Sequence, residues 1–172
     1  DTASHSTYRP VAVYASDVNG DGITELPRAV LMAGYKDTSS SDAVYMLDWY
    51  AYGIGKVPAK VATTYQNISD AWSLLIDQKW HDRITAIKAN DGGLSYVEFF
   101  EYRKSIPLFN IYCATGSNRE YYAERTDLIQ LGQTTQAIYF AKLTNEGEQS
   151  ELALTGDEIK ARFSLVNQAW NN

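Results

Sequence analysis

Apolar and polar residues alternate with a period of two along most of the chain, the spacing that puts one face of a β-strand on a core and the other in water. In the first third this pattern predicts strands over residues 10–15, 27–34, 43–52 and 58–65. The links between them are turn-rich: an Asp/Asn/Gly segment at 17–25, the polar Lys36-Asp37-Thr38-Ser39-Ser40-Ser41 run and Gly53-Ile54-Gly55-Lys56. Four strands joined by such links predict an antiparallel meander, which needs a covering layer to hold its apolar face.

The character shifts near Gln66-Asn67-Ile68-Ser69-Asp70, the one candidate linker. Beyond it, strands are expected at 71–76, 83–88, 94–102 and 107–114, with Asn90-Asp91-Gly92-Gly93 as a hairpin turn because these residues tolerate positive φ. Residues 118–124 read equally as a short helix or a turn. Residues 128–131 and 137–143 flank Gly132-Gln133-Thr134-Thr135 as a further hairpin. The last segment is helical in pattern: Thr155 and Glu158 form a capping box, Asp157 suits the positive end of the helix dipole, and Ile159, Phe163, Val166 and Trp170 make one apolar stripe. The expected fold is therefore α+β. Residues 1–65 form an antiparallel β module resembling a propeller blade; residues 66–172 form an antiparallel sheet covered by the C-terminal helix.

Composition narrows the classes. With 45% apolar residues in 172, the chain can bury a sizeable core and is neither disordered nor fibrous. A formal charge of -6 argues against nucleic acid and against anionic lipid, which both select a basic face. No apolar run is long enough to span a bilayer. The single Cys113, in a β-like run, excludes an internal disulfide and reads as a small buried hydrophobe. The chain opens on Asp1-Thr2-Ala3-Ser4-His5 without Met or a hydrophobic leader, so a processed exported precursor with an upstream signal or lipid anchor is the expectation.

Asp17-Val18-Asn19-Gly20-Asp21-Gly22-Ile23-Thr24-Glu25 carries the chemistry. Calcium takes six to eight hard oxygens, and alternate side chains of a tightly curved loop can turn inward together to supply them. Asp17, Asn19 and Asp21 are the first ligands, and Gly22 allows the chain to reverse. The Ile23 carbonyl is expected to face the ion while its side chain packs beneath the loop. Glu25 closes the shell from the start of the next strand. Three carboxylates this close should repel one another without a cation. The loop is not an EF-hand, because Arg28 stands where the twelfth position needs a bidentate Glu. The alternatives are an Asx-rich turn without metal and a catalytic metal, but no acid, base or nucleophile flanks the loop to serve the latter.

Other constellations are sparse. His5 and His81 form no metal motif, and neither a nucleophile elbow nor a P-loop occurs. Glu98 with Glu101 and Glu120 with Glu124 are the acid pairs to weigh as a glycosidase dyad against a solvated face, Glu98 or Glu101 being the choice near Trp72 or Trp80. Trp49, Tyr50, Tyr52, Trp72 and Trp80 are either core and cross-strand partners or a platform for a glycan or peptide.

Two resemblances follow from these residues. The D-x-N-x-D-G-x-x-E pattern of Asp17, Asn19, Asp21, Gly22 and Glu25 resembles the FG-GAP calcium loop of integrin-type β-propellers, over about residues 8–65; the departure is a single copy where a propeller needs several. The run ISDAWSLLIDQKWHDRITAIKANDGGLSYVEFFEY, then PLFNIYCATG, IYFAKL and a closing helix, resembles the PsbP-like α/β/α sandwich, although Asp77-Gln78-Lys79-Trp80 lacks that family's proline. The order of the two is similar to exported lipoproteins of Gram-positive gut bacteria. These resemblances imply an extracytoplasmic location and a binding or scaffolding role without catalytic residues; together with the calcium loop and the aromatics, the expectation is a non-enzymatic, monomeric, calcium-stabilised domain with a glycan or protein as ligand. A glycan hydrolase with a structural calcium and a terminal blade of a larger propeller are the alternatives.

Overall fold

The computed structural model describes residues 10–38, 42–91 and 94–166. The chain runs through β1 (Leu26–Leu31), β2 (Tyr45–Ala51), β3 (Ala59–Asn67), β4 (Trp72–Leu75), a 3₁₀ turn (Gln78–Trp80), β5 (Ile84–Asp91), β6 (Leu94–Glu101) and β7 (Ile106–Thr115). A second 3₁₀ turn (Gly116–Asn118) leads to α1 (Arg119–Ala123), β8 (Ile129–Gln133), β9 (Ala137–Leu143), α2 (Asn145–Glu148), α3 (Gly156–Arg162) and β10 (Phe163–Leu165). The protein is β-rich, with two five-stranded sheets in the orders β1-β2-β3-β4-β10 and β5-β6-β7-β9-β8 and few, short helices. Every strand pairing is antiparallel. Among the described residues no helix is long and apolar enough to cross a membrane.

Alternation assigns each strand an inner and an outer face. Met46, Tyr65, Trp72 and Leu74 of the first sheet meet Ile84, Val97, Phe99, Phe109, Ile111 and Tyr139 of the second in one continuous apolar cluster. Tyr65 makes an edge contact with Phe99 at 5.3 Å, which joins the sheets across their facing surfaces. Polar stitches accompany it: the Tyr35 hydroxyl donates to the Ala86 carbonyl at 2.8 Å, and the Tyr139 hydroxyl to the Asp70 carbonyl at 2.8 Å. Burial raises the Tyr139 hydroxyl to about 12 and the Cys113 thiol to about 11, so both stay neutral and Cys113 is the small buried residue its surroundings suggest.

Several expectations change. Residues 10–15 alternate but form no strand; only Ser16 pairs, in an isolated bridge to Glu25. β3 continues to Asn67, past the expected boundary at residue 65, and β4 and β10 join the first sheet. Asn67 is buried, and its amide donates to Asp70 Oδ2 at 2.8 Å, so the polar 66–70 segment is a bonded corner. The capping box of Thr155 and Glu158 is present, but α3 ends at Arg162 and Phe163 begins β10. Phe163 pairs with Leu74, because its ring gains the Trp72 and Tyr139 rings at 5.9 and 5.6 Å. Val166 donates its N–H to Ala71, and Trp170 lies outside the described residues, as does His5.

Asp77 ties α3 to the first sheet. Its carboxylate accepts from the Lys79 N–H at 3.0 Å and from Arg162 Nη2 at 2.9 Å, and these two donors hold its pKa below the usual carboxylate range. A depressed folded-state pKa contributes stability that is present above the unfolded value, near 3.9, and lost as pH falls through the folded one. Asp77→Asn is therefore expected to be less stable than wild type at pH 7. Urea unfolding at pH 7 and about pH 2.5 should show that difference shrinking at the lower pH.

Candidate metal centre

The loop ahead of β1 is closed at its base by the Ser16–Glu25 bridge, whose two backbone hydrogen bonds are 3.1 and 3.0 Å. Within it the backbone curls around Asp17. Oδ1 of Asp17 accepts from the N–H groups of Gly20 at 2.7 Å and Asp21 at 3.2 Å, and Oδ2 accepts from Gly22 at 2.8 Å. Gly20 and Gly22 have φ of +77° and +83°, the left-handed region where a side chain would strain the turn and swing these donors away. The Gly22 N–H above all, then those of Gly20 and Asp21, keeps the Asp17 carboxyl below its ordinary pKa. The expected mutual repulsion is thus offset in part by backbone dipoles.

The remaining side chains brace the loop and bring three carboxylates together. Asn19 Oδ1 accepts from the Asp21 N–H at 3.0 Å while its Nδ2 donates to Asp21 Oδ2 at 2.9 Å. Asp21 Oδ1 accepts from the Ile23 N–H at 2.8 Å. Asp17, Asp21 and Glu25 each present one carboxylate oxygen, all within 4.8 Å of one another. A shell with metal–oxygen bonds of about 2.3–2.6 Å spans roughly that distance across its centre, so one divalent cation fits among them.

Glu25 is the unusual member. Asp17 and Asp21 are exposed, but Glu25 is 0% exposed. Its Oε2 accepts from the Val18 N–H at 2.9 Å, while its Oε1 is buried with no hydrogen-bond partner. A buried carboxylate oxygen without a partner costs several kcal/mol in general, and among the described residues no ion pair reaches this one.

Of the five expected ligands, the structure converges Asp17, Asp21 and Glu25 and ties Asn19 to Asp21. Ile23 departs from expectation at its side chain, which is half exposed and not packed beneath the loop. Glu98 and Glu101 stand at opposite parity on β6: Glu101 shares the inward face of Val97 and Phe99, and Glu98 points away, so they form no dyad. Glu101 is instead locked by Lys104 Nζ at 3.1 Å, Arg83 at 3.6 Å and the Ser150 hydroxyl at 3.1 Å. Trp49, Trp72 and Trp80 are all buried.

Two features escaped the pattern reading. Asp48 is buried in an otherwise apolar strand, accepting from the Thr63 hydroxyl at 2.6 Å and Lys60 at 3.2 Å, with His81 Nε2 at 3.1 Å from Thr63 Oγ1. The lone acid in Met46-Leu47-Asp48-Trp49 was its only sign. A groove of about 810 Å³ runs between residues 12–18 and the outer face of the first sheet, bordered by Trp49, Gln66, Ser73, Ser164 and Val166. It exists because the leading arm of the loop lies over the sheet without pairing to it. In comparisons with known families, curated proteins and solved structures, nothing matches this chain.

Proposed function

We propose that this protein is a non-enzymatic, extracytoplasmic binding or scaffold domain stabilised by one calcium ion held by Asp17, Asn19, Asp21, the Ile23 carbonyl and Glu25. The observation that carries the reading is the fully buried Glu25, whose Oε1 has no hydrogen-bond partner and whose carboxylate has an oxygen within 4.8 Å of oxygens of Asp17 and Asp21. The donor set contains oxygen alone, which favours a hard cation over zinc or copper. Calcium is near millimolar outside cells, so a site with Kd of about 10⁻⁴ M is mostly filled there and one with Kd of about 10⁻³ M about half filled. In this reading the loop with β1–β3 forms the blade-like unit that the FG-GAP resemblance implies over about residues 8–65, and the chain from β4 through the second sheet and α3 is the PsbP-like part. The groove beside the loop is the place for a glycan or protein ligand, since its wall includes Asp17 and Val18 and an ion would fix that wall.

Titration calorimetry on chelator-stripped protein tests the ion directly. One calcium per chain is expected with Kd at or below about 1 mM, weaker binding of magnesium, and loss of the calcium heat in Asp21→Ala. No heat with calcium and no response to chelator in the wild type would remove the reading.

A further inference from the structure

The turn between β2 and β3 carries the most exposed aliphatic side chains among the described residues: Ile54 is 105% and Val57 89% exposed, with Tyr52 beside them at 57%. Turns ordinarily place Asn, Asp, Ser or Gly at the water-facing tip, because their side chains bond the local backbone. Here the tip is Tyr52-Gly53-Ile54-Gly55-Lys56-Val57, closed by the Lys56 N–H donating to the Gly53 carbonyl at 3.1 Å. The turn itself is made by glycine, with Gly55 at φ +71°, so the aliphatic residues are not needed to form it. Leaving Ile and Val wholly in water has no folding benefit, and clustered exposure of this kind marks a contact surface.

Position and charge identify the surface. β1 and β2 are antiparallel with Leu26 opposite Tyr50, so the tip after β2 and the acidic loop before β1 project from the same end of the sheet. Ile23 at 50% and Leu26 at 42% exposure extend the apolar patch toward that loop. No Asp or Glu occurs between Asp48 and Asp70, whereas Lys56 stands within the tip itself. The chain-wide charge of -6 conceals this local reversal. A convex turn with aliphatic residues around a lysine suits a deformable interface, apolar below and anionic at headgroup level.

We propose that the 52–57 turn is a lipid-contacting element that seats this end of the first sheet on a phospholipid surface bearing anionic headgroups. Ile54 and Val57 enter the acyl boundary and Lys56 meets phosphate. Resting on the calcium reading, a bound ion strengthens the contact, because it offsets the exposed Asp17 and Asp21 carboxylates that would otherwise face the same headgroups.

The test is sedimentation of the chain with vesicles of phosphatidylcholine alone and of phosphatidylcholine mixed with phosphatidylglycerol, in calcium and in EDTA. The wild type is expected to pellet with the anionic vesicles in calcium. Ile54→Asp/Val57→Asp should partition at least about tenfold less, and Lys56→Glu several-fold less on the anionic vesicles only. Both variants alter solvent-exposed turn positions, so circular dichroism and calcium calorimetry should match wild type. A wild type that stays in the supernatant with both vesicles overturns the proposal, as does partitioning unchanged in the double variant, or a tip-dependent dimer on sizing in place of vesicle binding. Tip-dependent pelleting that ignores EDTA upholds the lipid contact and counts against the ion, which keeps the two readings separable.

Discussion

Trp80→Ala is expected to destabilise the protein by about 3–5 kcal/mol, a large share of the roughly 5–15 kcal/mol that holds a domain folded. Trp80 is 0% exposed and packs its ring on Phe109 at 5.8 Å, on the inner face of the second sheet. Its Nε1 donates to the Leu152 carbonyl at 3.0 Å, which pins the segment after α2 over the core. Truncation removes the largest side chain type from a packed interior and leaves a buried carbonyl unpaired, two costs that add. Trp80→Phe keeps the ring and loses the hydrogen bond, so it should fall about 1–3 kcal/mol below wild type. Urea unfolding followed by far-UV circular dichroism measures both. A loss under about 1 kcal/mol for the alanine variant would show that the 3₁₀ turn carrying Trp80 is loosely docked.

How far the sequence predicts the fold depends on how local each element's cause is. The hairpins β5–β6 and β8–β9 were legible because period-two alternation and turn residues lie within a few positions of one another. The start of α3 was legible for the same reason, since Thr155 and Glu158 bond each other three residues apart. β10 was not. Phe163 continues the helical spacing from Ile159, and only the distant edge of β4 turns it into a strand. Residues 10–15 show the converse: they alternate yet join neither sheet, Val13 bonding back to the Val11 carbonyl and only Ser16 bridging to Glu25. That β4 and β10 complete the first sheet, and that one core joins both sheets, are likewise long-range outcomes.

The metal loop divides in the same manner. Asp17, Asn19, Asp21 and Gly22 sit at fixed local spacings, and the bonds that curl the backbone around Asp17 follow from them. The burial of Glu25 does not. It accompanies two contacts made across the loop, the Ser16 bridge and the Val18 N–H on Glu25 Oε2, while Ile23 stays half exposed. Glu25, the last ligand of the sequence pattern, is thus the one buried carboxylate of the three, with its Oε1 unpartnered.

Glu25→Gln and Asp17→Ala should therefore respond differently, although both remove a charge from the site. In the wild type, calcium at about a hundred times Kd is expected to add roughly 2.7 kcal/mol of stability. For a chain of this length that raises Tm by about 5–10 °C. Asp17→Ala removes a ligand and also three backbone acceptor contacts, so it should abolish the calcium gain and lower Tm without calcium as well. Glu25→Gln keeps the shape and an acceptor for the Val18 N–H while replacing the buried carboxylate, whose Oε1 is unpartnered, with a neutral amide. It should abolish or sharply reduce the calcium gain, yet leave the calcium-free protein as stable as wild type or more so, since the buried charge is gone. Differential scanning calorimetry of the three proteins in EDTA and in calcium reads both effects. If Glu25→Gln lowered Tm in EDTA and kept the calcium gain, the buried carboxylate would be part of the fold and not of an ion shell.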